Sequence, residues 1–321
     1  MNEAAAALLG LKADTDIGHP IHNLIRHPDF IHLLESGDYA EPLELASPVD
    51  EHRMMQIHMV PYGDRQRLLV ARDITKLHRL EVMRRDFIAN VSHELSTPLT
   101  VISGYLESLE SRPRDAGQQF EHALKQMRDQ TDRMKNLVND LLQLSRLEMN
   151  DARGAETDID VAAMARSLVA DAGIIARGQS RGHDISLAVD DRLLLRGING
   201  DIYSAFANII RNAVQYTPDG GKIDVRWYEE AGGGACFEVR DTGIGVPAPL
   251  IPRLTERFYR VDAGRSRSVG GTGLGLSIVK HVLINHQATL KVESAPGKGS
   301  TFSCHFPAER VIRTPSRQQA M

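Results

Sequence analysis

The sequence predicts an α+β multidomain chain, and three observations predict it. The first 75 or so residues combine short apolar runs and turn signals with stretches that alternate apolar and polar residues. Residues 76–150 read as two long helices. From residue 159 onward helical and strand patterns interleave, with glycine clusters at their joins, as in an α/β sandwich. A chain of 321 residues with 42% apolar residues can bury a core in more than one module.

In residues 1–75 turn signals stand at His19-Pro20, His27-Pro28, Ser36-Gly37-Asp38, Ser47-Pro48 and Tyr62-Gly63-Asp64. Short helices are expected there, followed by strands. Alternation from Met54 to Val60 and from Arg67 to Arg72 predicts an antiparallel pair turning at Pro61 to Arg65. Asp73-Ile74-Thr75 then leads into a helix. The histidines at positions 19, 22, 27, 32, 52 and 58 scatter over loops and strand with no recurring acidic or thiol partner. They read as surface histidines and not as a metal or haem site.

One helix is expected from Lys76 to about Glu110, and a second from Gln118 to about Met149 after a break at Ser111 to Gly117. The second carries Phe120, Leu124, Met127, Thr131, Met134, Val138 and Leu141 at alternating steps of four and three. One hairpin leaves that seam uncovered, so a homodimeric four-helix bundle is expected. On the first helix Phe87, Val91, Leu95 and Ile102 keep helical phase, and His93 lies roughly 200° away from Val91 and Leu95. His93 is therefore expected to face water. An imidazole with an unperturbed pKa near ~6.5 is largely neutral at cell pH and can attack phosphorus. Glu94 can orient the ring and take its proton.

Asp151 to Asp158 reads as a linker, and a domain is expected over 159–308. Its helices are placed at Val161 to Arg177, Asp201 to Gln215 and from Gly275; its strands lie at Asp184 to Val189, Lys222 to Tyr228, Ala235 to Arg240, Thr289 to Glu293 and Thr301 to His305. Gly232 to Gly234 and Gly297 to Gly299 are read as hairpin turns, and 309–321 as a disordered tail.

A net charge of −4 argues against direct nucleic-acid binding. The two cysteines, Cys236 and Cys304, are far apart without metal-site spacing, so neither a disulfide framework nor a zinc site is indicated. No stretch approaches the ~20 apolar residues of a membrane span, and Ala4 to Leu11 follows a start unlike a signal peptide. A soluble chain is expected.

His93-Glu94-Leu95 with Thr97-Pro98-Leu99 resembles the phosphoacceptor box of sensor histidine kinases in two-component systems. Four further blocks, in order, resemble that family's nucleotide boxes: Asn208 to Ala213, Asp241 to Gly245, Glu256 to Asp262 and Gly270 to Leu276. Across its length the chain is most similar to the phosphate-regulon branch. The resemblance implies a PAS-like sensor fragment over 1–75 lacking the usual opening strands, a dimerisation and phosphoacceptor hairpin over 76–150, and an ATP-binding domain of the histidine kinase/chaperone ATPase type over 159–308. Such kinases usually carry membrane helices ahead of the sensing module, which implies the cytoplasmic face of the bacterial inner membrane as the native setting. Residue 1 is then a truncation point or an alternative start.

No P-loop or Rossmann spacing is present, so ATP needs another architecture. Asp241, ending a strand before Gly243 and Gly245, can accept a hydrogen bond from the exocyclic amine of adenine; the alternative is an ordinary turn. Asn208 and Asn212 share a helix face, where Asn212 is the preferred Mg2+ ligand and Asn208 a supporting one. Tyr216 is placed along the base or ribose. Gly271, Gly273 and Gly275, with Leu274, open a helix whose amides face the phosphates. Arg265 and Arg267, in a lid after Phe258, are expected to close over the γ-phosphate.

The resemblance further implies transfer from phosphohistidine to an aspartate of a response-regulator receiver domain, phosphate-transport regulatory proteins as partners, and a phosphatase reaction using Thr97. Pro98 withholds a donor from the carbonyl of Glu94, so a bend beside the acceptor is expected. The chain departs from the family at Ser96 and Gln215, where relatives carry basic residues. Slower phosphotransfer, a shift toward phosphatase and neutral variation all remain open. Two other readings share these boxes: a degenerate sensor that recruits without chemistry, and a chaperone, mismatch-repair or topoisomerase-type ATPase, which is not expected to carry a His-Glu box.

Overall fold

The computed structural model describes residues 1–63, 66–110, 117–149, 155–178, 182–261 and 271–314. Its contacts divide the chain into two units, Met1–Val91 and Ser92–Met321.

In the first unit, helices α1 (Glu3–Leu9), α2 (Ala13–Asp16), α3 (Ile21–Leu24) and α4 (Pro28–Ser36) precede strands β1 (Leu43–Ala46), β2 (Met54–Tyr62) and β3 (Gln66–Asp73). The strands form one antiparallel sheet in the order β1-β2-β3. The expected pair is present; its turn lies partly outside the described residues. β1 was not foreseen, because four residues are too few to show a period. Leu8, Leu9, Ile25, Phe30, Leu45, Met55 and Ile57 form the core. Met55, Ile57 and Met59 point inward at period two, which fixes the register, since a slip of one residue would expose all three. The Asp73 carboxylate accepts from the amide of Thr75 at 2.8 Å and from its hydroxyl at 2.6 Å, capping the next helix. The Thr75 hydroxyl bond, foremost, holds the Asp73 carboxyl below the usual range.

Helix α5 (Thr75–Glu110) runs across the boundary at Val91, and α6 (Gly117–Glu148) follows. Glu94 meets Arg133 and Tyr105 meets His122, so the two helices are antiparallel. α5 stays helical through Pro98. On α6 the residues buried within one chain are Ala123, Leu137, Leu144 and Leu147. Part of the seam is left uncovered in the single chain, as expected: Phe120 is 50% exposed, and Leu124 and Val138 are exposed as well, while Met127, Met134 and Leu141 are half-buried.

The rest of the second unit begins with β4 (Thr157–Asp160) and α7 (Val161–Gly178), then β5 (Asp184–Val189), β6 (Leu193–Gly197), α8 (Asn199–Tyr216), β7 (Lys222–Glu229), β8 (Ala235–Asp241), α9 (Gly275–Asn285), β9 (Thr289–Ala295), β10 (Gly299–Phe306) and β11 (Val311–Arg313). A mixed five-stranded sheet has the order β5-β7-β8-β10-β9, with β5 and β7 parallel. Helices α7, α8 and α9 cover one face. Phe206 of α8 stacks on Phe237 of β8 at 3.7 Å between ring centroids, and the Trp227 indole donates to the carbonyl of Leu193.

Two expectations are corrected here. β11, β6 and β4 form a second, three-stranded sheet, so the domain starts inside the expected linker. The tail, expected to be disordered from 309, is ordered through Thr314: Val311 is buried, and the Arg310 guanidinium bonds Glu156 at 2.5 Å. β4 and β11 have only four and three residues and pair with β6 far along the chain, Thr157 with Gly197 and Val311 with Leu195, so neither leaves a local pattern. Residues 151–154 and 315–321 lie outside the described residues.

Candidate active site

β8 ends where the sheet meets the N-terminus of α9, and there the second unit holds a cavity of about 230 Å³. Asp241 lies in its wall and is only 4% exposed. Its carboxylate accepts from the amides of Gly243 at 2.7 Å and Ser300 at 3.2 Å, which fix its direction. Burial pushes this carboxyl above the ordinary range, against the pull of those two amides. The backbone after Asp241 must turn hard: Gly245 has φ +68°, and a Cβ there would sit 1.9 Å from the carbonyl oxygen of Ala295. Gly273, at φ +72°, lets the chain pass against the backbone of Phe258, whose amide donates to the Gly273 carbonyl. Only glycine meets both demands at these two positions.

Asn212, Tyr216, Asp241, Gly245, Gly271, Gly273 and Gly275 all line this cavity. The structure brings together residues separated by more than 60 positions in sequence. Asn208, Gly243, Phe258 and Leu274 are not among the lining residues. Asn208 is buried beneath Gly275; its amide donates to the Ser204 carbonyl and its oxygen accepts from Arg211. Leu274 is fully buried in the core, so it offers the cavity no side chain. Phe258 is a partly buried member of the same core, held at φ +60°. Arg265, Arg267 and the expected lid around them fall outside the described residues, Tyr259 to Val261 excepted.

Several lining residues were missed by sequence reasoning. Arg211 and Arg260 place positive charge in the wall, and Thr272, Ser300 and Phe302 complete it. Arg211 and Thr272 stood inside the quoted blocks, so a cation and a hydroxyl beside glycines were the available signal. Asn136 and Asp140 come from α6 and had none. The Thr272 hydroxyl donates to the Asp140 carboxylate at 2.8 Å. Burial raises the Asp140 carboxyl, opposed by that hydrogen bond and by the charge of Arg211. Around it Leu137, Leu144 and Leu147 join the core of the α/β domain, and Arg146 bonds Asp201 at 2.9 Å. The α/β domain is thus seated on α6.

His93 is exposed on α5, as its phase required, and is not among the cavity-lining residues. Beside it the Glu94 carboxylate, about three-quarters buried, accepts from the Arg133 guanidinium at 2.8 Å. The Thr97 hydroxyl donates to the His93 carbonyl at 3.1 Å. Pro98 deprives the Glu94 carbonyl of its helical donor, and the Thr100 hydroxyl bonds the Ser96 carbonyl as Thr97 bonds that of His93. A solvent-exposed imidazole and a cavity walled by glycines and a buried carboxylate therefore lie in one unit, with His93 outside the cavity wall.

Comparison with known proteins matches both halves. Residues 83–150 match the His Kinase A (phospho-acceptor) domain, and residues 197–310 the Histidine kinase-, DNA gyrase B-, and HSP90-like ATPase domain. The chain belongs to the sensor histidine kinases of two-component systems, and is a protein-histidine kinase whose C-terminal domain binds ATP. It is 51% identical over 310 residues to the Phosphate regulon sensor protein PhoR of Pseudomonas aeruginosa, spanning 97% of this chain and 69% of that protein. Full-length ShkA, solved in complex with AMPPNP, is 26% identical with a TM-score of 0.53, covering 72% of this chain and 47% of its own. ThkA, solved in complex with the response regulator TrrA, is similar in fold, with a TM-score of 0.54 over 96% of this chain and 91% of its own at 19% identity. No helix among the described residues is long and apolar enough to cross a membrane.

Proposed function

We propose that this kinase moves the γ-phosphoryl group of ATP onto His93 and then onto an aspartate of a response-regulator receiver domain, within phosphate-starvation signalling. The observation that carries the reading is the cavity around Asp241 in the same unit as an exposed His93. Asp241 receives the exocyclic amine of adenine, a bond guanine lacks at that position. Tyr216, 38% exposed at the rim, lies along the base or ribose. The glycine-bordered start of α9 turns backbone amides toward the phosphates, and Arg211 and Arg260 add charge to the wall. Arg265 and Arg267 are proposed to close over the γ-phosphate.

The donor set fits Mg2+ as a hard cation: the Asn212 amide oxygen would hold it together with phosphate oxygens, and Asn208 supports the helix from below. When bound it neutralises charge on the transferring group. One ring nitrogen of His93 forms the bond to phosphorus as the bond to the ADP oxygen breaks. The proton on the other ring nitrogen passes toward Glu94, which Arg133 orients. Since His93 and the cavity are apart, the α/β domain leaves its seat on α6 before transfer. Thr97, one turn on, is the candidate for positioning water in a phosphatase reaction.

Exposed Phe120, Leu124, Val138 and Leu142 favour a homodimer that covers the α6 seam. Residues 1–75 serve as a PAS-like input module, 76–150 as the phosphoacceptor hairpin, and the α/β domain from β4 to β11 as the ATP-binding domain. The relation to PhoR favours phosphate-transport regulatory proteins as upstream partners at the cytoplasmic face of the inner membrane. Incubation with γ-labelled ATP should yield acid-labile, alkali-stable label on the wild-type chain and none on His93→Ala. Label persisting in that variant overturns the assignment.

A further inference from the structure

β8 passes from a hairpin end at Ala235 to the nucleotide cavity at Asp241, and its two faces differ. Ala235, Phe237 and Val239 enter the hydrophobic core. Cys236 must therefore face the other side of the sheet, away from α8 and α9, yet it is fully buried. Polar neighbours cover it. His305 stands opposite Cys236 across the β8–β10 ladder, Tyr228 opposite it across β7–β8, and Glu230 follows the end of β7. One donor atom from each of Glu230, Cys236 and His305 falls within 4.8 Å of the others. Nδ1 of His305 lies 2.8 Å from Glu230 Oε1, while Nε2 is buried and makes no hydrogen bond among the described residues.

We propose that Glu230, Cys236 and His305 form a site for a borderline divalent cation of the Zn2+ class, separate from the nucleotide cavity. The chemistry of the donors selects the ion. One thiolate, one imidazole and one carboxylate suit Zn2+ or Co2+, whereas Mg2+ and Ca2+ want oxygen alone. Thiolate and carboxylate together balance the charge of a divalent ion, and the thiol proton passes to solvent on binding. Three protein ligands leave a fourth tetrahedral position for water or a further donor. Asp241 lies five positions along extended β8 from Cys236, roughly 17 Å at ~3.3 Å per residue, so the ion would not touch bound nucleotide. It would pin the β7–β8 hairpin to β10. The ligands come from separate strand ends, which is why no spacing along the chain announced them.

The full chain, free of nucleotide, should be titrated with Co2+ and followed by thiolate-to-metal charge-transfer absorption. One equivalent is expected to develop the band, and Zn2+ to abolish it and raise the thermal midpoint. Cys236→Ser should remove the band, and Glu230→Gln or His305→Gln should each weaken binding by ~10–100-fold or more. Cys304→Ala, on the core face, should keep it. The N-terminal histidines can bind Co2+ without producing the band. Absence of the band in the wild type, its survival in Cys236→Ser, or full affinity in both Glu230→Gln and His305→Gln would overturn the proposal; the latter two variants serve if Cys236→Ser does not fold.

Discussion

In the function proposed here, the face of α5 around His93 and the cavity around Asp241 handle the same phosphoryl group by opposite means. His93 is open to solvent on α5, and beside it Glu94 is met by a guanidinium reaching over from α6. The cavity is assembled from the ends of β8, α8 and α9, with Asp241 held by two amides and the backbone pressed so closely that side chains are excluded at Gly245 and Gly273. A nucleophile that must meet more than one partner has to stay accessible. A donor site must hold its substrate in one geometry, and positioning supplies most of the catalysis in phosphoryl transfer.

That contrast makes the cavity sensitive to small changes and the acceptor face tolerant of all but a few. The largest effect is expected for Asp241→Ala, which removes a charged acceptor worth ~1.5–3 kcal/mol and should lower ATP affinity roughly 10- to 100-fold by calorimetry. It also strands the amides of Gly243 and Ser300, so the thermal midpoint should fall with it. Gly245→Ala adds a Cβ at positive φ against the Ala295 carbonyl and should destabilise the α/β domain by ~1–3 kcal/mol in denaturant unfolding. An alanine tolerated there without loss would mean that the loop is not preorganised, and the contrast would dissolve.

Arg133→Ala tests the other side. It frees Glu94 while leaving the cavity intact, so the autokinase kcat should drop about 3- to 10-fold, a fraction of the ~10²–10⁴ of general acid–base catalysis, with the KM for ATP unchanged. A shift in KM instead would show that the two regions are coupled through α6. The smallest effect is expected at Asp140, which ties the two together. Burial raises its carboxyl, so the seated arrangement binds more protons than a released one. Seating on α6 should therefore be firmest in acid and weaken as pH rises from the ordinary carboxylate value near ~4 through the raised one. Asp140→Asn should hold the domain on α6 more firmly at neutral pH, slowing autophosphorylation a few-fold, and should flatten the dependence across that window. Hydrogen exchange along α6 would read it directly.

Much of this was legible in the sequence because it is periodic or local. The helices α5 to α9 and the strands of the five-stranded sheet came within a few residues of their observed bounds, since amphipathic phase carries over more than one turn or pleat. The exposure of His93 followed from its phase alone. The three-stranded sheet of β4, β6 and β11 was invisible, since each strand is too short to show a period and the partners lie far apart in sequence. Leu274 illustrates the same limit within a recognised block: belonging to the glycine cluster suggested a cavity role, but packing against the core decided its side chain's direction.

By itself the sequence marked the candidates for chemistry, because an imidazole out of apolar phase, a strand-ending carboxylate and glycines at forced turns are properties of residue type and spacing. Only the tertiary structure decided which of them share a cavity. It put Arg211, Thr272 and Asp140 into one wall, paired Glu94 with Arg133, and gathered Glu230, Cys236 and His305 on the outer face of the sheet. Such neighbourhoods arise from strand register and helix packing between distant segments, whose energies are summed over the whole core and leave no mark on any short window of the chain.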